Sequence, residues 1–478
     1  MLFGFAFTAG NYFETYCAIC RIYLITDHFG GKNLAKYFGT DGFRGKANVK
    51  LTAKEAYRIG RFLGWYFGKT KKARILVGKD PRRSSYTLEY SLVSGITASG
   101  GDAYLMHVTT TPSVSYVVSR EEFDAAVMIS ASHNAFCDNG IKIMNSFGEK
   151  ADDEFIAKIE SYLDEEFEIP LSVGDKIGKV EDYFVGRNRY MSFLMSVPSN
   201  SFKGYKVALD TANGSTYMIA KTVFSSLGAK VYAINDCPDG ININASCGAT
   251  DVKKLVKQVK DFSCDFGFAF DGDGDRCIAV DENGKVTDGD MILYALAVEM
   301  KNKGNLVSDT VVSTVDSNVG LKDSLREKGI QLIETNVGDR FVAAKMKEGY
   351  VLGGESSGHI IIKKFMSSGD GILTALMLTE TAISKKCPFS TLFSEMTLYP
   401  EVKQNVPAAD KSVVERVDFI AALESIKARF EAKKLLVRAS GTEDVIRITA
   451  SCESEEKSKE CVKAVCEEIR EKSLQKRT

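Results

Sequence analysis

The stretch "YKVALDTANGSTYMIAKTVFSSLGAKVYAI", residues 205–234, decides the fold. A short apolar run ends in a polar turn, an amphipathic stretch follows, and a glycine precedes a second apolar run. That order predicts strand, turn, helix, strand, with Gly228 supplying the positive φ on which helices commonly end. The same grammar returns twice. "ARILVGKD" (73–80) leads through "SSYTLEYSLVSGITASGG" (84–101) to "DAYLMHV" (102–108), and "DTVVSTVDS" (309–317) leads through "NVGLKDSLREKG" (318–329) to "IQLIET" (330–335). Gly101 and Gly329 stand where Gly228 stands.

Strand–helix–strand units of about 30 residues imply right-handed crossovers and largely parallel sheets. The tail reads differently. Helical "SVVERVDFIAALESIKARFEA" (412–432), strands "KLLVRAS" and "DVIRITAS", and an amphipathic "SEEKSKECVKAVCEEIREKS" form a smaller unit. The expected fold class is therefore α/β: three similar α/β domains with mixed, largely parallel sheets, plus a smaller C-terminal α+β domain. The expected divisions are an extension over 1–35 and domains over 36–190, 191–292, 293–398 and 399–478. The stretch Pro400–Pro407 is the expected hinge.

The 478 residues are 44% apolar and 26% charged, enough to bury several cores. A net charge of −1 gives no reason to expect nucleic acid or an anionic membrane as partner, so any anion site must be local. Eleven cysteines without a disulfide-like framework suit a reducing cytoplasm. Cys17 and Cys20 form one C-x-x-C with no second pair at zinc spacing. Residues 1–35 are apolar and aromatic but lack a basic start, a cleavage signal and a clean apolar span, and read as an extension or packing arm.

Ligands of parallel sheets lie at the carboxyl ends of the strands, and four polar loops stand out there. In "FGFAFDGDGDRCIAVD" (266–281), Asp271, Asp273 and Asp275 alternate with glycines between apolar runs. Three carboxylates so close repel one another unless a cation compensates. Hard oxygen ligands at an open site suit Mg²⁺, with a phosphate completing the shell. The spacing imitates an EF-hand, but Arg276 occupies the position that must be glycine, and the flanks read as strands. A dehalogenase-type aspartyl-phosphate phosphatase fits imperfectly, with Asp275 at its fifth motif position.

In "ISASHNAFCDNGIK" (129–142), Ser132 beside such a metal site becomes a phosphoryl acceptor, with His133 and Lys142 as donors or proton carriers. "VLGGESSGHI" (351–360) offers Glu355, Ser357 and His359 to sugar hydroxyls. "VRASGTEDVIRI" (437–448) gathers Arg438, Ser440, Gly441, Thr442 and Arg447, a set suited to a phosphate dianion. "GWYFGKT" at 64–70 is one residue short of a P-loop and reads as the end of an amphipathic helix.

Taken in order, the serine loop, "DGDGDR", "GGESSGH" and "RASGTE" resemble the α-D-phosphohexomutase superfamily from Lys36 almost to the C-terminus. "KYFGTDGFRGKANVKLT", "GGESSGH" and "SSGDGILTAL" look most like its bacterial branch acting on glucosamine phosphates. The resemblance implies four domains around a central cleft, each giving one loop. It implies a phosphoserine at Ser132 and Mg²⁺ held by Asp271, Asp273, Asp275 and a phosphoserine oxygen. It places Arg44 and Lys142 near the transferring phosphoryl group and Arg276, Asp339 and Arg340 in sugar recognition. Glu355 and Ser357 match the sugar-hydroxyl binders, and Arg438, Ser440, Gly441, Thr442 and Arg447 the loop for the non-reacting phosphate.

The implied reaction interconverts glucosamine 6-phosphate and glucosamine 1-phosphate through a 1,6-bisphosphate, ahead of UDP-N-acetylglucosamine synthesis in the cytoplasm. A phosphomannomutase/phosphoglucomutase is the rival within the superfamily; a non-catalytic sugar-phosphate binder is the rival outside it. The bisphosphate of a hexose or hexosamine is the implied activator, and the assembly state, homodimer included, stays open. Ala135, Ala439, Asp444 and Asp251 depart from the superfamily's usual residues. Ala135 replaces a customary proline and puts the stiffness of the serine loop in question.

Overall fold

The computed structural model describes residues 36–39, 41–408, 410–440 and 444–474, so the extension over 1–35, with Cys17 and Cys20, lies outside the described residues. The described chain forms two compact units, one ending at Thr397 and one beginning at Leu398.

All three strand–helix–strand repeats are present in the first unit. Arg74–Lys79 runs parallel to Asp102–Val108, Lys206–Asp210 to Lys230–Ile234, and Thr310–Thr314 to Gln331–Thr335. Gly228 and Gly329 take positive φ as expected; in the first repeat the neighbour Gly100 does so at +88°. Each sheet is mixed more evenly than the repeats alone suggest. In each, a further strand lies parallel to the first: Ala125–Ile129, Phe266–Phe270 and Leu352–Gly354. The chain then turns straight back into an antiparallel partner, Asp138–Asn145, Cys277–Asp281 or Ile360–Ile362. The three turns are the serine loop, the aspartate loop and the Glu355–His359 loop. Three candidate loops thus occupy one equivalent position, at the carboxyl end of a parallel strand.

The first repeat has its own core, built on Phe43, Phe62, Ile75, Val77 and Leu92. The helix Ala53–Phe67 opens on a capping box from Thr52 and Glu55 and stops at Gly68, so "GWYFGKT" is a helix end. The second and third repeats share one apolar core. Phe266 stacks on Phe389 with ring centroids 4.8 Å apart, and Phe268 meets the same ring edge-on. Each such fully buried ring contributes about 1.5–3 kcal/mol. Residue 190 lies inside the helix Phe184–Ser196 and residue 292 inside Gly289–Asn302, both packed into that core. Among the described residues no helix is long and apolar enough to cross a membrane.

The second unit is a three-stranded antiparallel sheet, ordered Glu401–Pro407, Val445–Ser451, Lys434–Ala439. The helices Val417–Arg429 and Glu455–Leu474 bury Phe419, Leu423, Val462 and Val465 with Ile446 and Ile448 of the central strand. The expected helix over 412–432 is broken at Arg416, whose extended backbone (φ −71°, ψ 132°) separates a 3-10 turn from the α-helix. Within the stretch Pro400–Pro407, seven consecutive residues from Glu401 to Pro407 pair with the central strand, so these residues form a sheet edge of the second unit.

Candidate active site

The aspartate loop crosses from Phe270 to Cys277 and turns three carboxylates inward. Ligand oxygens of Asp271, Asp273 and Asp275 lie within 4.8 Å of one another, and all three residues are buried. Gly272 permits this path, because a Cβ there would stand 2.5 Å from the carbonyl oxygen of Ser132. The loop is anchored from three elements. The Thr111 N–H donates to Asp273 O, the Ser215 N–H to Gly272 O, and the Gly371 N–H to Gly274 O.

Ser132 sits against the cluster, 1% exposed, with its hydroxyl donating to Asp271 Oδ2 at 2.5 Å. His133 Nδ1 is 3.4 Å from the same hydroxyl. Lys142 Nζ lies 2.8 Å from Asp273, 3.3 Å from Asp41 and 3.6 Å from Asp275. Arg44, on the strand beside Gly140, pairs with Asp41. Lys150 bridges Asp41 at 2.8 Å to Asp339 at 2.7 Å. His359 stands between Asp275 and Asp339, 3.7 Å from each. Glu355 accepts from the Gly338 N–H at 3.1 Å, and the buried Ser357 hydroxyl has no protein partner.

These distances join Ser132, His133, Lys142, Arg44, the three aspartates, Asp339 and His359 in one charged cluster. Backbone pairing of Arg276 with His359 adds the Glu355–His359 loop. Arg340 is not brought in by any such contact. It is exposed, with its guanidinium 4.6 Å over the Phe341 ring.

Burial sets the electrostatics. It pushes the Asp271 carboxyl well above the usual range, and Asp275 and Asp273 push the same way. Buried Oδ1 atoms of Asp273 and Asp275 have no protein donor. A cluster with a disfavoured charge and orphaned oxygens fits a hard divalent cation.

Lys142 runs against expectation. Burial opposes its charge, but Asp273, Asp41 and Asp275 outweigh burial and raise its pKa, so it is a cation in the metal-free protein. His133 is the reverse case: burial first, then Arg276 and Arg44, bring it down to about 4 and leave it neutral. Burial also works against charge on His359, yet Asp275, Asp339 and Glu355 raise it to about 9. Burial raises Glu355.

Sequence reasoning missed four residues here: Asp41, Lys150, Arg82 and Asn244. Arg82 is completely buried and donates to the backbone of the serine loop, as does Asn244. Neither belongs to a motif that announces chemistry; the "DPRRSS" run reads only as the start of a helix.

In the C-terminal unit, taken by itself, Arg438 and Arg447 stand directly opposite each other on adjacent strands. Ser440 is buried at the strand end, its N–H donating to Val445 O at 2.9 Å and its carbonyl accepting from Lys411 Nζ at 2.9 Å. Gly441 and Thr442 lie outside the described residues.

Four family models match the chain in succession. They are phosphoglucomutase/phosphomannomutase α/β/α domain I over 35–169, domain II over 188–284, domain III over 288–399, and the C-terminal domain over 401–468. A phosphoglucosamine mutase of Lachnospira eligens is 51% identical over 446 residues, covering 92% of this chain and 99% of its own. That of Bacillus subtilis is 43% identical over 442 residues, covering 91% and 99%.

Among solved structures, a phosphoglucomutase/phosphomannomutase family protein from Burkholderia thailandensis shares the fold. Its TM-score is 0.76 at 22% identity, over 91% of this chain and 97% of its own. An Aspergillus fumigatus N-acetylphosphoglucosamine mutase, solved with GlcNAc-6P and magnesium, gives 0.68 at 18% identity, over 91% and 96%. The chain belongs to the phosphoglucomutase/phosphomannomutase family of the α-D-phosphohexomutase superfamily, on the branch formed by the phosphoglucosamine mutases.

Proposed function

We propose that the protein is an isomerase that interconverts glucosamine 6-phosphate and glucosamine 1-phosphate, with Ser132 as the phosphoryl carrier. The observation that carries this reading is the Ser132 hydroxyl donating at 2.5 Å into the three-aspartate cluster. An alcohol buried beside a cation site, with no triad around it, suits a phosphate ester more than an acyl transfer.

The phosphoserine P–Oγ bond breaks as a bond forms from phosphorus to the sugar C1 oxygen, giving the 1,6-bisphosphate. The reverse transfer from the 6-position restores the phosphoserine and releases the 1-phosphate. Asp271, Asp273, Asp275 and the phosphorylated Ser132 would hold Mg²⁺, which supplies neutralisation of the phosphoryl oxygens. Lys142 and Arg44 contribute positive charge, and the Arg44 guanidinium does not accept a proton. His133, 3.4 Å from the Ser132 hydroxyl, is the nearest neutral nitrogen to take the sugar hydroxyl's proton, with its lowered pKa working against that role until phosphoryl charge gathers beside it. Glu355, Ser357 and His359, with Arg276 and Asp339, orient the sugar ring; Arg340 would join them only by a side-chain movement.

In the C-terminal unit, two guanidiniums directly opposite each other beside the Ser440 strand end support Arg438, Ser440 and Arg447 as phosphate ligands. Gly441 and Thr442 complete the proposed loop. Because either the 1- or the 6-phosphate occupies it, it must recognise a dianion and not a ring position. The product serves UDP-N-acetylglucosamine synthesis in the cytoplasm, and a sugar 1,6-bisphosphate primes the dephosphorylated enzyme. The test is phosphopeptide mapping together with a Ser132→Ala variant. Phosphoserine at 132 and loss of mutase turnover are expected. Retained turnover in that variant, or an acyl phosphate on Asp271, overturns the reading.

A further inference from the structure

Ser132 holds a φ of +51°, a backbone region costly for a residue with a Cβ, so its surroundings must impose it. Its carbonyl oxygen accepts from Arg82 Nη2 at 3.0 Å and from Asn244 Nδ2 at 2.9 Å. Arg82 also donates to the carbonyls of Asn134 at 2.9 Å, Asp138 at 3.2 Å and Ala135. Its Nε donates to Asp80 Oδ2 at 2.8 Å. A guanidinium has five N–H donors, and these contacts use them all.

Asp80 closes the circuit. It accepts from the Ser130 hydroxyl at 2.6 Å, and that oxygen accepts the Ser132 N–H at 2.9 Å. Asn244 comes from the second repeat and donates a further bond to Asn134 O at 3.0 Å. The serine loop is thus gripped from the repeat that carries it and from the repeat that carries the aspartates. The carbonyl of Ala135, where the superfamily usually has proline, is one of the gripped atoms.

We propose that Arg82 and Asn244 are positioning residues for phosphoryl transfer, fixing the left-handed Ser132 backbone so that Oγ points at the aspartate cluster. Neither touches the reacting atoms. Lysine at 82 would keep the charge opposite Asp80 but could not reproduce a planar five-donor fork. This inference rests on Ser132 being the phosphoryl carrier.

The experiment compares Arg82→Lys, Asn244→Ala and Ser132→Ala with the parent enzyme. Steady-state kinetics use glucosamine 6-phosphate. The rate at which dephosphorylated enzyme is phosphorylated by glucose 1,6-bisphosphate is followed by intact mass. Misplacing the oxygen should lower kcat and the phosphorylation rate together, by about 10-fold in Asn244→Ala and about 100-fold in Arg82→Lys, with KM within about twofold. Unchanged kcat and phosphorylation rate in cooperatively folded variants, or a rise in KM alone, overturns the proposal. If Arg82→Lys does not fold, Asn244→Ala decides, since that side chain is only half-buried. Retained turnover in Ser132→Ala would instead overturn the phosphoserine reading. An inactive Ser132→Ala beside a fully active Asn244→Ala would overturn the grip alone.

Discussion

Lys142 Nζ lies 2.8 Å from Asp273 Oδ2, buried between the serine loop's own strand and the aspartate hairpin. Asp41 and Asp275 surround the same ammonium at 3.3 and 3.6 Å. Burial by itself favours a neutral lysine, and three carboxylates decide the matter the other way. Lys142→Ala is expected to lower turnover by about 100-fold or more, by removing a charge aimed at the phosphoryl group. It should also cost about 3–5 kcal/mol in metal-free protein, because buried carboxylates lose their partner. Urea unfolding with and without Mg²⁺ checks this, since added Mg²⁺ should return part of the loss.

Asp271 carries the converse prediction. Burial and its two neighbouring aspartates disfavour its charge when no cation is present. Asp271→Asn should therefore melt at a higher temperature than the parent in chelator. It should also lose most of the stabilisation by Mg²⁺, which for a bound site at 100 times Kd is about 2.7 kcal/mol. A variant that melts lower than the parent in chelator would contradict this account.

Asp370 predicts a pH dependence. It caps the helix Gly371–Lys385 and accepts from the Tyr190 hydroxyl at 2.8 Å, yet full burial raises its pKa to about 6. The folded state therefore holds a proton that the unfolded chain releases near pH 4. Its contribution is complete below the unfolded pKa and disappears as pH rises through about 6, a loss of about 3 kcal/mol. Asp370→Asn, which keeps a capping oxygen, should flatten the urea midpoint across pH 4 to 6. The same slope in the variant would mean another group is responsible.

Arg438 faces Arg447 across the C-terminal sheet. Arg438→Ala should raise KM for sugar phosphate about 10-fold or more, with a smaller effect on kcat. A phosphate bound equally in ground and transition states contributes to KM and not to the chemical step.

The carriers of chemistry were legible where a local pattern states them. Asp271, Asp273 and Asp275 repeat every second residue between apolar strands, and Ser132 ends another such strand. Arg82 and Asn244 were not legible, because the carbonyls they serve lie 50 to 56 and 110 to 112 residues away. A pair of arginines just after a strand-ending aspartate was the one available hint. The charge state of Lys142 was not legible either, since it depends on Asp41 and Asp273, from two distant segments. Pro400 and Pro407 read as punctuation around a linker, while the apolar Val402 and Val406 between them mark a half-buried edge strand.

The aspartate hairpin and the sugar loop are joined through main chain. The Cys277 N–H donates to Gly358 O at 3.0 Å, and Arg276 pairs with His359 as in a sheet. The spacing between the two loops is therefore set by main chain, and it depends on Gly358, where a Cβ would stand 2.3 Å from the Cys277 carbonyl oxygen. Side chains can be exchanged at Ser356 and Ser357 without disturbing that junction, whereas Gly358 cannot take a Cβ and His359 meets Asp275. Freedom to vary in this loop is thus confined to two adjacent serines, while its flanks are committed to holding the aspartate hairpin.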